Sequence, residues 1–248
     1  MGLDANGSAV WIRPRMRPTI HSSRFAARPN SGARFGGGVS LELYLRKYFV
    51  DKVAFASLAG ISVHRLDQLI AAQAIPGATY TCVGTSVCSA VFGDTPTNES
   101  LTGEYFRPEC VRWARIANQA PPGSERSAVL AELTKEFRAA LQNFCESPEG
   151  IDSRIQTYLP YFFNGTSGLC VADPSTGTGI VRKEMLQEKL IALTANGSLS
   201  SPAGISKEEL LKLIDDYADS AMPFSPAEYE RSSRKRLVDD LRRILAKA

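Results

Sequence analysis

The chain has 248 residues, 44% of them hydrophobic and 22% charged, with a formal net charge of +3. This balance excludes a disordered polyelectrolyte, and no apolar run approaches the ~20 residues of a membrane span. The length suffices for one sizeable core or two small ones.

Five cysteines, an odd number, are scattered through the chain, and its start lacks the apolar segment of a secretory signal. Both features point to reduced thiols in a cytoplasmic protein. The charge is unevenly placed. Arg13, Arg15, Arg17, Arg24, Arg28 and Arg34 stand against Asp4 alone in the first forty residues, so the remainder is slightly acidic. Residues 1–39 read as a disordered Arg/Gly/Ser-rich leader with too little apolar surface to fold. Three readings fit it: a basic arm for nucleic acid or acidic lipid, a transit peptide without the usual amphipathic helix, or a mis-assigned start with initiation at Met16 or near Val39.

Ser40-Leu-Glu-Leu reads as a cap and a short helix carrying Leu41, Tyr44, Leu45 and Tyr48. Val53–Pro76 then reads as a helix-turn-helix. Ala56 allows close approach, Gly60 opens the turn, and Ser62 caps the second helix. The spacing puts Phe55 and Leu58 of the first helix against Val63, Leu66, Leu69 and Ile70 of the second. Thr79–Phe92 is rich in β-formers around Gly84 and reads as a hairpin, followed by a polar turn region over Gly93–Gly103. A helix pair followed by a hairpin outlines a winged helix. A helix is expected over Pro108–Ala117, with Pro108 at its first position.

Pro121-Pro122-Gly123 marks a boundary. Ser124 to about Cys145 is the clearest helix, with Leu130, Leu133, Phe137, Leu141 and Phe144 in one stripe. Ile151–Phe163 reads as a helix interrupted or ended at Pro160. Gly168–Val171 and Gly179–Arg182 read as two short strands around a turn, and Lys183–Leu193 as a helix stopped by Asn196-Gly197. Ser206-Lys-Glu-Glu209 and Ser225-Pro-Ala-Glu228 both have the form of capping boxes opening C-terminal helices. The last helix carries Leu237, Leu241, Ile244 and Leu245 on its apolar face and a basic opposite face.

The expected fold is mainly α (α+β): an N-terminal helix-turn-helix with a small β-hairpin, packed on a C-terminal helical part with a second short hairpin. The expected domains are the leader at 1–39, a helix-turn-helix or winged-helix-like part at 40–120, and the C-terminal helical part at 121–248.

Candidate chemistry is sparse. If the helix-turn-helix reads DNA, His64, Arg65 and Gln68 face the groove, with Asp67 opposing them. Residues 41–80 hold four basic residues against three acids, a poor phosphate cradle, so a packing role competes with a reading role. A metal site is disfavoured because no cysteine pair forms C-x-x-C and His64 is the only histidine of the expected folded part. The same shortage disfavours a cysteine nucleophile and leaves the cysteines as buried structural residues. The glycine clusters at 164–168 and 175–179 lack the Gly-Lys-Ser/Thr of a phosphate loop. Lys183 and Glu184, adjacent on a helix, are expected to point apart. No cofactor motif appears.

Several segments in order resemble a bacterial family of unknown function described as natural product biosynthesis proteins. They are YLRKYFVDKVAFASLAGIS, LIAAQAIPGATY, SAVFG, EYFRPECVRW, FFNGTSGLCVADPSTGTGIVRKEML and ERSSRKRLV, spanning about 41–238. The resemblance implies a setting in bacterial secondary metabolism and supplies no reaction, cofactor or catalytic residue. Three functions are therefore carried forward. The first is an accessory or biosynthetic protein binding a small molecule or a pathway protein. The second is a helix-turn-helix transcriptional regulator, and the third an enzyme of unassigned class. An active site between the two parts would draw on Tyr80, Cys170, Lys183 and Arg231.

Overall fold

A computed structural model describes residues 40–144, 147–199 and 201–247. The leader at 1–39 and Cys145 lie outside the described residues. Ser40 caps α1 (Leu41–Tyr48), its hydroxyl accepting the Leu43 amide at 3.1 Å. A two-residue strand, β1 (Val50–Asp51), leads into α2 (Lys52–Ala59) and α3 (Val63–Ala71). The two helices form the expected helix-turn-helix. Asp51 Oδ1 accepts the Ala54 amide at 2.8 Å, Ser62 Oγ accepts the Arg65 amide at 3.1 Å, and Gly60 takes the left-handed turn at φ 74°. Phe55, Ala56, Ala59, Leu66 and Leu69 are buried between them and the core. Leu58 is instead 47% exposed. At about 100° per residue it lies well around the helix from the face that Phe55, Ala56 and Ala59 fill.

The hairpin is longer than its sequence suggested. β2 (Tyr80–Ser89) and β3 (Gly93–Phe106) pair antiparallel, and the sheet order is β1-β3-β2. Gly84 lies within β2, and the turn falls at Ala90–Phe92, where Ser89 pairs with Gly93. The stretch expected as a polar turn is therefore strand. Near Gly84 the register jumps from Gly84↔Leu101 to Ser86↔Pro96. The surplus residues of β3 bring Glu99 to the start of α1, where its two carboxylate oxygens accept the Leu41 and Glu42 amides at 2.7 and 2.9 Å. A carboxylate there answers both the orphan amides and the positive end of the helix.

After a 3-10 turn at Pro108–Cys110 come α4 (Val111–Gln119), α5 (Glu125–Gln142) and α6 (Pro148–Phe163). The buried stripe of α5 is Val129, Leu133, Phe137, Ala140 and Leu141, while Phe144 is exposed. α6 runs through Pro160, which sits on the exposed side of the helix. The carbonyl deprived of a partner belongs to Gln156, also exposed, and can turn to water.

The second hairpin does not form. Its residues lie in α7 (Thr166–Cys170) and α8 (Gly177–Leu193), and only an isolated bridge joins Val171 to Ala221. Gly177 opens a helix because the space is needed: a Cβ there would stand 2.7 Å from Glu136 Cβ on α5. Its amide donates to Glu136 Oε2 at 2.6 Å. α9 (Lys207–Ser220) begins with the expected capping box between Ser206 and Glu209. Ser225–Glu228 forms none. That stretch is a turn passing into a 3-10 helix at Tyr229–Arg231, followed by a π-helix at Lys235–Asp240 and α10 (Leu241–Leu245). The wide π turn buries Val238 with Leu237, Leu241 and Leu245 and leaves Ile244 exposed.

One apolar cluster gathers α2–α8 around Trp113, Phe137 and Phe162, drawing on both sides of Pro121-Pro122-Gly123. A second joins α8, α9 and the terminal helix. The third packs α1 against the inner sheet face and Met222–Phe224. Phe137→Ala, at a fully buried site, should cost about 3–5 kcal/mol in urea denaturation, whereas Phe144→Ala should stay within about 0.5 kcal/mol.

Candidate functional site

The exposed face of α3 is the first place to look for chemistry. Arg65 does not project freely, because its Nη2 donates to Glu125 Oε1 on α5 at 2.7 Å. That bond holds the Glu125 carboxyl below its ordinary range. His64 Nε2 and Gln68 Nε2 lie 3.0 Å apart, tied to each other on the helix surface. Asp67 is bound by Lys52, whose ammonium also meets Glu104 of β3. The hydrogen bonds that Lys52 donates to these two carboxylates raise its pKa. The hairpin itself carries Asp94, Glu99 and Glu104 with no Lys or Arg between Tyr80 and Phe106. Asp67 and Glu104 thus stand beside the second helix of the pair with the Lys52 ammonium between them.

The four candidate catalytic residues fall into different environments. Tyr80, fully buried, donates from its hydroxyl to Glu228 Oε2 at 2.5 Å. Ser225 Oγ donates to the same oxygen at 2.8 Å, and Ser89 Oγ to Oε1 at 2.6 Å. Glu228 is itself fully buried. Burial and the nearby Tyr44 and Glu228 push the Tyr80 hydroxyl well above its ordinary pKa, so it remains a donor. This cluster fastens the C-terminal segment to the hairpin. Its sequence signal, Ser225-x-x-Glu228, belongs equally to a capping box, and only tertiary contact separates the two uses. Arg231 lies outside the cluster. Its Nη2 donates to Thr95 Oγ1 at 2.5 Å, and its guanidinium sits 4.9 Å from the Phe92 ring centroid.

Lys183 is 3% exposed, and its Nζ donates to Glu184 Oε1 at 2.9 Å. The expectation that these neighbours point apart is wrong. Both side chains are long enough to bend toward each other, and burial leaves Lys183 no other carboxylate. Burial is the largest single influence on Lys183 and opposes its charge, but Glu184 together with Cys170 and Tyr217 outweighs it and the pKa rises. A lysine held protonated is not a general base. Cys170 ends α7 rather than lying in a strand, and burial pushes its thiol up to about 11. Cys82 rises to about 11 and Cys110 to about 12 for the same reason. Cys82 and Cys88 share β2 and do not face each other across a turn. Among the described residues no group of three or more His, Cys, Asp or Glu side chains is placed to hold a metal ion.

A groove of about 460 Å³ lies between α4 and α5, lined by Arg112, Ile116, Ala128, Ala131, Glu132 and Lys135. Arg112 is committed within it, donating to Ser175 O at 2.8 Å and to Glu136 Oε1 at 2.5 Å. None of the sequence candidates lines the groove.

Residues 113–246 match the model of DUF6058, a family of unknown function. The chain belongs to this family. No curated protein matches it, and no solved structure does. The DUF6058 match begins at Trp113, so it takes in Cys170, Lys183, Glu228 and Arg231 and leaves out the helix-turn-helix and the hairpin. Among the described residues no helix is long and apolar enough to cross a membrane.

Two outcomes follow from the buried groups. Glu228→Gln presents an amide where three hydroxyls donate, and should cost about 2–4 kcal/mol in urea denaturation, more than Tyr80→Phe at about 1–2 kcal/mol. Cys82, Cys110 and Cys170 hold their protons more tightly in the folded chain than in the unfolded one. The unfolded state therefore loses protons first as pH rises, and stability should fall on the alkaline side, starting near the ordinary thiol pKa of about 8.5. Iodoacetamide mapped by mass spectrometry at pH 7 should modify the two buried thiols, Cys82 and Cys110, only slowly in the native protein.

Proposed function

We propose that this protein acts by binding rather than by catalysis, as an accessory protein of a biosynthetic pathway. In this reading its helix-turn-helix and hairpin dock another protein and do not read DNA. The observation that carries it is the charge of that unit. Arg65 is taken by Glu125, and Asp67 and Glu104 stand where a winged helix would need phosphate contacts. Val53 and Val83, 68% and 69% exposed, add apolar surface to the acids of this unit. That combination suits a partner segment with basic and apolar residues. The resemblance to natural product biosynthesis proteins supports a place in bacterial secondary metabolism, where a carrier or tailoring enzyme is the natural partner. The candidate catalytic residues support the same conclusion, since Tyr80 and Lys183 are buried and hydrogen-bonded within the protein.

The test is fluorescence anisotropy of the full chain with labelled DNA from the gene's own upstream region, at low salt and at about 150 mM salt. We expect any binding at low salt to vanish at the higher concentration. Binding that survives salt and competitor DNA, and that Arg65→Ala weakens, would make the protein a regulator. The complementary experiment co-expresses the chain with the products of adjacent genes. One of them should co-elute with the wild type and fail to do so with Glu104→Lys.

A further inference from the structure

Among the described helices of eight residues or more, every one except α2 carries charge on its solvent face. At about 100° per residue, α2 turns Phe55, Ala56 and Ala59 inward and Val53, Ala54, Ser57 and Leu58 outward. Val53 is 68% exposed and Leu58 47%. The one charged residue of the helix, Lys52, is drawn aside by Asp67 and Glu104. Two large apolar side chains together on an uncharged helix face form the kind of surface that proteins use for contact.

Charge returns at the two ends of this face, with opposite signs. Asp51 stands at the N-terminus, where its Oδ1 accepts the Ala54 amide at 2.8 Å. Arg115 reaches across from α4 to the C-terminus, where its Nη2 donates to the Leu58 carbonyl at 2.8 Å. Both residues are exposed, and among the described residues neither is in an ion pair. An acid at one end and a cation at the other make the face complementary to a copy of itself laid in the opposite direction.

We propose that the solvent face of α2 is a homodimer contact, in which two copies of the chain pack this helix antiparallel about a two-fold axis. With the axis between Phe55 and Ala56, Val53 meets Leu58 of the second copy and Ala54 meets its Ser57. Asp51 then comes to the end of the second copy's helix, where Arg115 sits on the Leu58 carbonyl, and every contact occurs twice. Ala54 and Ser57 are small enough to let the helix axes approach to about 8–10 Å. Helices this short bury little, so the dimer belongs to the weak class below about 1,200 Å². Val53 also lies on the docking surface proposed above, but the dimer contact does not rest on that reading. Leu58 and Arg115 take no part in docking, and Asp67 and Glu104 take no part in the dimer.

The experiment is sedimentation velocity of the full chain from about 1 to 500 μM, a range that brackets a micromolar Kd. The wild type should pass from monomer to dimer within it. Leu58→Glu and Val53→Lys should each stay monomeric, because each sets a charge against an apolar side chain at both contacts. Mixing these two variants in equal amounts should restore the dimer. One contact then pairs the new lysine with the new glutamate, and the other keeps the natural Val53–Leu58 pair. This recovery also excludes misfolding as the cause of either loss. Arg115→Glu, which sets two acids together at each end, should weaken the dimer about tenfold. Glu104→Lys should dimerise as the wild type does even where it loses the pathway partner, so the two readings fail separately. A wild type that stays monomeric throughout overturns the proposal. So does a dimer that Leu58→Glu leaves intact, or a mixture in which both variants remain monomers.

Discussion

Arg107 leaves the end of β3 and enters the protein almost completely buried, at 3% exposure. Its Nη1 donates to the carbonyls of Gly168 and Val171, each at 3.2 Å, and its Nη2 to the carbonyl of Ala172 at 2.8 Å. Nε donates to Glu109 Oε2 at 2.9 Å. One guanidinium thus answers the carbonyls at the end of α7, steadies the entry to α4 and lies against Met222 beyond α9. Space is tight around it, since a Cβ on Gly168 would stand 2.5 Å from Thr79 Oγ1 and 3.2 Å from Arg107 Cγ. A buried cation missing these acceptors would cost several kcal/mol, so the hairpin, α7 and the C-terminal segment hold their places together or lose them together.

This constraint explains why reactive residue types yield so little exposed chemistry. The polar groups inside the protein are spent on joining elements. Tyr80, Ser89 and Ser225 converge on Glu228, and the Tyr217 hydroxyl donates to Gln187 Oε1 and accepts from Ser233. Such networks raise the specificity of packing when every member is satisfied. Among the described residues Arg236 Nε is the one buried side-chain nitrogen or oxygen without a partner.

The local grammar of the helices was legible in the sequence. Ser40, Ser62 and Ser206 announce helix starts that the structure contains, and Gly60 announces the turn between α2 and α3. Failures came where one signal serves two structures. Gly177 and Gly179 suit a turn or the close seating of a helix, and only the nearness of Glu136 on α5 decides for the helix. Ser225 and Glu228 suit a cap or a buried cluster, and Tyr80 decides for the cluster. The candidate site was less legible than the fold. Tyr80 and Lys183 stand out in the sequence for their chemistry, but their burial and their partners Glu228 and Glu184 are encoded by no short spacing. Arg236 reads in the sequence as one more basic residue of the last helix, because a missing partner leaves no trace there.

The contacts on Glu228 also set an order of events for the newly made chain. Tyr80 meets a carboxylate 148 residues further on, and the Tyr44 hydroxyl meets the Pro223 carbonyl across 179 residues. The helix pair at α2 and α3 can form from neighbouring residues, whereas the inner face of the hairpin waits for the segment around Pro223–Glu228 to leave the ribosome. Closing loops of that length is slow, and until then Tyr44, Phe49 and Tyr80 have no lasting cover on that side. The N-terminal third therefore spends synthesis with a sticky aromatic face, a hazard that chaperones or slow translation of the middle helices would have to contain.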